Sequence, residues 1–315
     1  MTTDADRSPY VDAVIVMNSR SGDNKVDRFG LIEKAEQLGA HVLLTSQDRS
    51  AAQLARLAVQ SGAQRLGAAG GDGTVSAVAA VAAETNRPLI VIPAGTRNHF
   101  ARDLGLDTKD PGRGMDALVD PDTILVDLGM VESRAFINNV SFGMYADALL
   151  EPDYRTAKAR SFASVAPLYL QGQRSVNATL DTPTETIESP QMVLVSNNPY
   201  HLATIRHLGQ RFSLGTGLLG AIIVKRQPDP PPPVLITELR HDLLSSGHAQ
   251  VPGSGLFVYC ATEVTLLGLG ERTLMAAIDG EPAELDLPVT CRIWAGALTV
   301  HLPKNRPGIP AEPRT

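Results

Sequence analysis

The five residues Gly70-Gly71-Asp72-Gly73-Thr74 lie between a short apolar run, Arg65 to Ala69, and an alanine- and valine-rich stretch, Thr74 to Glu84. The run reads as a strand and the stretch as a helix, so the glycines occupy a strand-to-helix turn. Glycines at such a turn let the backbone approach a polyphosphate closely, and the helix start offers unpaired amides to anionic oxygens. Asp72 adds a carboxylate able to hold hydrated magnesium. The same letters on their own also describe a tight turn with an aspartate cap, so the surrounding pattern has to decide.

That pattern is an alternation. Asp12 to Met17 is a Val- and Ile-rich strand ending in Asn18-Ser19-Arg20-Ser21-Gly22, and helical periodicity covers Arg28 to Leu38. His41 to Thr45 reads as a second strand, Ala51 to Val59 as a second helix, and Leu89 to Ile92 as a fourth strand entering Pro93-Ala94-Gly95-Thr96. Strands alternating with helices at this spacing predict a parallel, helix-covered sheet. After about Asp127 the pattern changes to short strands such as Arg134 to Asn138, Gln191 to Ser196 and Leu219 to Val224, which predicts a second, β-rich domain. Pro228 to Pro233 reads as a stiff surface spacer, followed by an amphipathic helix over Ile236 to Leu244.

Composition narrows the function. A chain of 315 residues can hold two hydrophobic cores. With 28 basic against 34 acidic residues, the net charge of −6 argues against nucleic acid as a partner. Cys260 and Cys291 lie far apart without metal-ligand spacing, and His201, His207, His241 and His248 show none either. A reducing cytoplasm is therefore expected, with neither a zinc site nor a disulfide framework. The opening Met1 to Pro9 is polar and unlike a secretory signal, and no run of about 18 apolar residues occurs, so any membrane contact is expected to be peripheral, at the inner face. Within Ser161 to Leu170 an apolar set (Phe162, Val165, Leu168, Tyr169, Leu170) fits buried core better than an interfacial helix, for it lacks a basic face.

The glycine loop is neither a Walker phosphate loop nor a Gly-x-Gly-x-x-Gly dinucleotide fingerprint. Together with Asn18-x-x-Ser21-Gly22 and Pro93-Ala94-Gly95-Thr96-Arg97-Asn98-His99-Phe100-Ala101, it resembles the catalytic domain shared by diacylglycerol kinases, sphingosine kinases and bacterial lipid kinases. The resemblance runs on to Asp279-Gly280-Glu281 and Gly296-Ala297-Leu298, spanning about residues 10 to 303. It implies an α/β fold class: an N-terminal nucleotide-binding α/β domain with a mostly parallel sheet over 10–127, rejoined by a returning segment 296–310. A C-terminal β-rich sandwich over 128–295 would complete a cleft for ATP.

By the same resemblance, ATP contacts fall on Asn18, Ser19, Arg20, Ser21, Gly22, Thr45, Gly70, Gly71, Asp72, Gly73, Thr74 and Thr96. Asp72 would meet Mg2+ through water, and Asp72, Asp279 and Glu281 would be catalytic, a carboxylate taking the proton of the attacking hydroxyl. Residues two apart in a strand share a face, whereas a turn at Gly280 would separate Asp279 from Glu281; the sequence leaves both geometries open. The implied substrate is a lipid hydroxyl, diacylglycerol first, drawn from the membrane surface, and a homodimer is compatible with the chain.

Two positions depart from the family pattern. His99 stands where many bacterial members have Asp, and Leu214-Gly215-Thr216-Gly217-Leu218-Leu219-Gly220 has no carboxylate where they carry an Asp-rich, magnesium-binding turn. The expectation is that an accessory metal is absent there or held by backbone carbonyls. Two other functions stay open: kinase of a soluble small molecule, since NAD kinases also use a Gly-Gly-Asp-Gly loop, and a nucleotide- or lipid-binding regulator with weak or no catalysis.

Overall fold

The computed structural model describes residues 12–151, 158–182, 185–201, 210–211, 213–226, 248–250 and 255–307. The proline run and the amphipathic stretch Ile236 to Leu244 lie outside them. The chain divides into two compact units: the first holds the residues up to Leu128, a short return at 213–215 and the chain from Ala295, the second Gly129–Arg211 and Thr216–Trp294.

The first unit is built on four strands, β1 (Ala13–Met17), β2 (His41–Leu44), β3 (Arg65–Gly70) and β4 (Leu89–Pro93), in the order β2-β1-β3-β4, with the C-terminal part of the last strand, Val289–Pro303, beside β4. Every pair among them is parallel. β1 and β4 are buried along their whole length, as expected of central strands with both faces covered, which is why they read as unbroken apolar runs. Helices α1 (Lys25–Arg28) and α2 (Leu31–Gln37) and a 3-10 helix (Pro111–Leu118) pack Val26, Leu31, Ala35 and Met115 against Ile15, Met17, Ile90 and Ile92. The helix expected over Arg28 to Leu38 thus begins only at Leu31, after a separate short α1 that ends at Arg28, because the chain turns left-handed at Gly30 (φ 56).

Alternate residues such as Val14 and Val16 point to the opposite face, where α3 (Ala51–Gln60) and α4 (Asp72–Glu84) pack. A reciprocal box fixes the start of α3: Ser50 Oγ accepts from the Gln53 amide (3.3 Å), and the Ser50 amide donates to Gln53 Oε1 (2.8 Å). α5 (His99–Asp103) follows β4.

The second unit is entered within β5 (Pro121–Val131), which pairs with β6 (Arg134–Phe136). β7 (Asn139–Gly143) leads into α6 (Met144–Leu150) and α7 (Lys158–Leu170). There follow β8 (Ala178–Asp181), β9 (Thr186–Glu188), β10 (Met192–Asn197), β11 (Leu219–Val224), β12 (His248–Gln250), β13 (Leu256–Ala261), β14 (Glu263–Gly268), β15 (Thr273–Ile278), β16 (Glu281–Asp286) and β17 (Val289–Pro303). Seven of these form an antiparallel sheet, β12-β13-β11-β10-β7-β15-β16. β9, β8, β14 and the start of β17 form a second antiparallel set.

Inward residues of the two sheets, Val140, Phe142, Val195 and Ile223 on one and Leu180, Ile187, Leu266 and Val289 on the other, share one core. Face-to-face packing of this kind makes a β-sandwich. Cys291 belongs to that core, where burial pushes its thiol up to about 12, and neither it nor Cys260 is in a disulfide. Val165 and Tyr169 of α7 are buried against Ala148, so this part of the apolar stretch at 161–170 is core. Among the described residues no helix is long and apolar enough to cross a membrane.

Candidate active site

The strand order of the first unit reverses at β1: β2 lies on one side, β3 and β4 on the other. In open parallel sheets ligands bind beyond the carboxyl ends of the strands at such a point. β1 ends in Asn18–Gly22, β3 in Gly71–Thr74 and β4 in Ala94–Asn98, so the three motifs emerge from the same edge of one sheet.

They are in van der Waals contact through their glycines. A Cβ on Gly22 would come within 2.4 Å of the Ala94 carbonyl oxygen, and one on Gly95 within 2.2 Å of Gly71 Cα. Gly22 is also left-handed (φ 56). Side chains complete the assembly. Asn98, itself left-handed and buried, accepts the Gly95 amide on Oδ1 (3.0 Å) and donates through Nδ2 to the carbonyls of Gly95 (2.8 Å) and Pro93 (3.3 Å). Lys25 reaches across from α1 and donates to the carbonyls of Gly95 (3.2 Å) and Thr108 (3.1 Å). The Asn18 amide donates to the Ala69 carbonyl (2.9 Å), tying the first loop to β3, and the Thr45 amide donates to the Met17 carbonyl (2.9 Å) at the end of β2.

Asp72 has a role beyond the one its motif suggests. Its Oδ2 accepts from the His99 amide (3.1 Å) and its Oδ1 from the Phe100 amide (3.2 Å), so the carboxylate caps α5 and fastens the second loop to the third. α4 starts at Asp72 with Gly71 as N-cap and no side-chain cap, leaving its first amides for another acceptor. Thr96 and Arg97 are exposed beside it, as is Arg20, whereas Thr74 is buried. Burial lowers the His99 pKa below 6.5, Asp72 opposes this, and Arg102 adds to it. The imidazole is therefore neutral near pH 7, where an aspartate would carry charge.

Asp127, read from the sequence only as the place where the pattern changes, is fully buried. Its amide donates to the Leu214 carbonyl (2.6 Å) and its Oδ1 accepts from Gly296 (2.7 Å), joining three distant stretches of the first unit. Lys25 and Asp127 were both missed. Only their partners mark them, and those partners are distant in sequence.

In the second unit Asp279 and Gly280 are the two central residues of the β15–β16 hairpin, both left-handed (φ 49 and 85), with Ile278 paired to Glu281. This is the geometry an Asp-Gly pair favours in a two-residue turn. Asp279 accordingly lies in the turn and Glu281 just after it, and the two do not share a strand face. The Asp279 carboxylate accepts from three backbone amides, Ile137 (2.9 Å), Asn138 (2.7 Å) and Asn139 (3.1 Å), and its own amide donates to the Asn139 carbonyl (2.8 Å). Glu281 is exposed at the start of β16. The carboxylate-free turn is satisfied by an amide: Asn198 Oδ1 accepts from the Thr216 amide (2.8 Å) and hydroxyl (2.6 Å).

Residues 12–131 match the family described as the diacylglycerol kinase catalytic domain. A diacylglycerol kinase of Mycobacterium tuberculosis is 38% identical over 105 residues, 33% of this chain and 34% of the relative. One of Staphylococcus carnosus is 32% identical over 167 residues, 51% of this chain and 53% of the relative. The chain thus spans about a third and about half of the length of these two. A probable lipid kinase YegS-like protein of Pseudomonas fluorescens is 28% identical over 307 residues, 94% of this chain and 96% of the relative. A crystal structure of a putative diacylglycerol kinase from Bacillus anthracis shares the fold, with a TM-score of 0.65 at 16% identity over 94% of this chain and 98% of that one.

Proposed function

We propose that this chain, whose residues 12–131 match the diacylglycerol kinase catalytic-domain family, transfers the γ-phosphate of ATP to a lipid hydroxyl, diacylglycerol being the first candidate. The main support is the gathering of three glycine-bearing loops at the carboxyl edge of one parallel sheet, against the uncapped start of α4. A polyphosphate needs close backbone approach and inward-facing amides, and the positions where a Cβ would collide provide the first.

In this reading the nucleotide is held by the backbone of Asn18–Gly22 and Gly70–Thr74, with Thr96 and the exposed Arg20 as further phosphate contacts. Thr45, directly after β2, is a further nucleotide contact in this reading. Asp72 fits a magnesium contact through water: each carboxylate oxygen accepts one backbone amide and retains a further lone pair. Magnesium, when bound with ATP, neutralises charge on the transferring phosphoryl group.

Proton removal from the lipid hydroxyl falls to Glu281. Three amides hold the Asp279 carboxylate, which suits it to fixing the hairpin, and Glu281 is exposed at the start of the adjoining strand β16. The lipid is drawn from a membrane surface by a chain acting peripherally.

Labelled ATP incubated with magnesium, a mixed lipid extract and the chain tests this. A labelled lipid, lost with Asp72→Ala and identified by mass, is the expected result. ATP binding with label appearing only on a soluble acceptor, or nowhere, would reject the lipid-kinase reading.

A further inference from the structure

Arg211 is only 4% exposed, and an arginine so deeply buried is rare unless its charge is compensated. Its Nη1 donates to the carbonyls of Ile137 (2.6 Å) and Asn197 (2.8 Å), and its Nη2 to Asn138 Oδ1 (2.9 Å). The guanidinium lies 5.8 Å from the centre of the Tyr200 ring, and the Tyr200 hydroxyl accepts from Asn139 Nδ2 (3.0 Å). Asn197 Nδ2 adds a second donor to the Ile137 carbonyl (3.2 Å), and the Asn197 amide donates to the Asn138 carbonyl (2.9 Å).

The residues gripped in this way are those whose amides hold Asp279. The peptide group joining Ile137 to Asn138 therefore has a guanidinium at its carbonyl and a carboxylate at its amide, its dipole aligned between the two charges. Hydrogen bonds polarised in series at low dielectric reinforce one another. Asp279 occupies the turn of the hairpin from which Glu281 projects. Displacing Ile137–Asn139 would move Asp279, and with it the strand end carrying Glu281.

We infer that Arg211 is a positioning residue for the Asp279–Glu281 hairpin, acting through the peptide groups of Ile137–Asn139. This rests on the kinase reading above for its consequence in catalysis, but not for its structural content. Lysine cannot replace it fully, since a single ammonium lacks the planar fork that meets Ile137, Asn197 and Asn138 together.

The full-length chain with Arg211→Gln or Arg211→Lys tests this by kcat, KM for ATP and hydrogen exchange of the Ile137, Asn138 and Asn139 amides. Misplacing a reacting group by about 1 Å lowers rate by about 10²-fold, so Arg211→Gln is expected to lower kcat to that extent, with Arg211→Lys between it and the wild type. KM for ATP should change by less than about threefold, because the nucleotide loops belong to the first unit. The three amides should lose protection in both variants.

Unchanged kcat in a folded Arg211→Gln chain would overturn the proposal, as would a fall in kcat with those amides still protected. Should neither variant fold, Asn138→Ala removes one acceptor of the fork, and unchanged kcat and exchange there would equally overturn it. A wild type without phosphotransfer would count against the kinase reading alone. The exchange measurement then decides for Arg211: lost protection upholds its hold on the loop, retained protection refutes it.

Discussion

Replacing Gly95 with alanine probes the packing on which the nucleotide site depends. The new Cβ would lie 2.2 Å from Gly71 Cα, 2.7 Å from Gly71 N and 2.8 Å from Asn98 Oδ1. Two of these are backbone atoms, so no rotamer change relieves the clash, and the second and third loops must part by about 1 Å to reach ordinary contact. Overpacking of this kind costs about 1–3 kcal/mol, and the parting also draws the α4 amides away from the β4 loop. The reciprocal substitution is the control. A Cβ on Gly71 would meet nothing closer than Gly95 Cα at 3.6 Å, and Gly71 has φ −85, open to any residue. Urea denaturation should therefore show a clear loss of stability for Gly95→Ala and little change for Gly71→Ala. Calorimetric titration with ATP should show the Gly95→Ala chain binding at least about tenfold more weakly, each tenfold being 1.4 kcal/mol. Equal stability of the two variants, or a Gly95→Ala chain that binds ATP like the wild type, would refute the close packing of the two loops.

Three further outcomes are expected. Asp72→Asn keeps the shape but leaves one oxygen for two amides, so α5 loses part of its cap; a loss of about 1 kcal/mol in chemical denaturation is expected. Lys25→Met removes both donors to the Gly95 and Thr108 carbonyls and should cost about 1.5–3 kcal/mol by the same measurement, with weaker ATP binding. Because burial holds the His99 pKa below 6.5, the unfolded chain takes up that proton at higher pH than the folded one, so His99 lowers stability as pH falls through and below 6.5. His99→Asn should therefore lose less stability than the wild type between pH 7.5 and 5.5, and a larger loss would contradict the sign.

The parts of this fold that are legible in the sequence are those set by local pattern. β1 and β4 are buried on both faces and so read as plain apolar runs, and the glycines at the strand-to-helix turn are required by contacts a few ångströms away. The Asp-Gly pair carries its hairpin geometry in its letters, yet the same letters fit a strand when paired with Glu281. What resists reading is every role defined by a distant partner. The amides that hold Asp279 lie some 140 residues upstream, with Ile137 at a separation of 142. Lys25 is separated from Thr108 by 83 residues. Asp72 shows the same limit: its motif points to metal, while its capping of α5 depends on the approach of β3 to β4. The break at Gly30 was missed for a local reason, since helical periodicity on either side continues across a single left-handed residue.

The proposed kinase reaction assigns proton removal from the lipid hydroxyl to Glu281. Comparing Glu281→Gln with the wild type for ATP binding and for phosphotransfer to diacylglycerol in mixed micelles tests it most directly. Unchanged ATP affinity with transfer lowered by about 10²–10⁴-fold is the predicted result. Transfer by Glu281→Gln at the wild-type rate would contradict it.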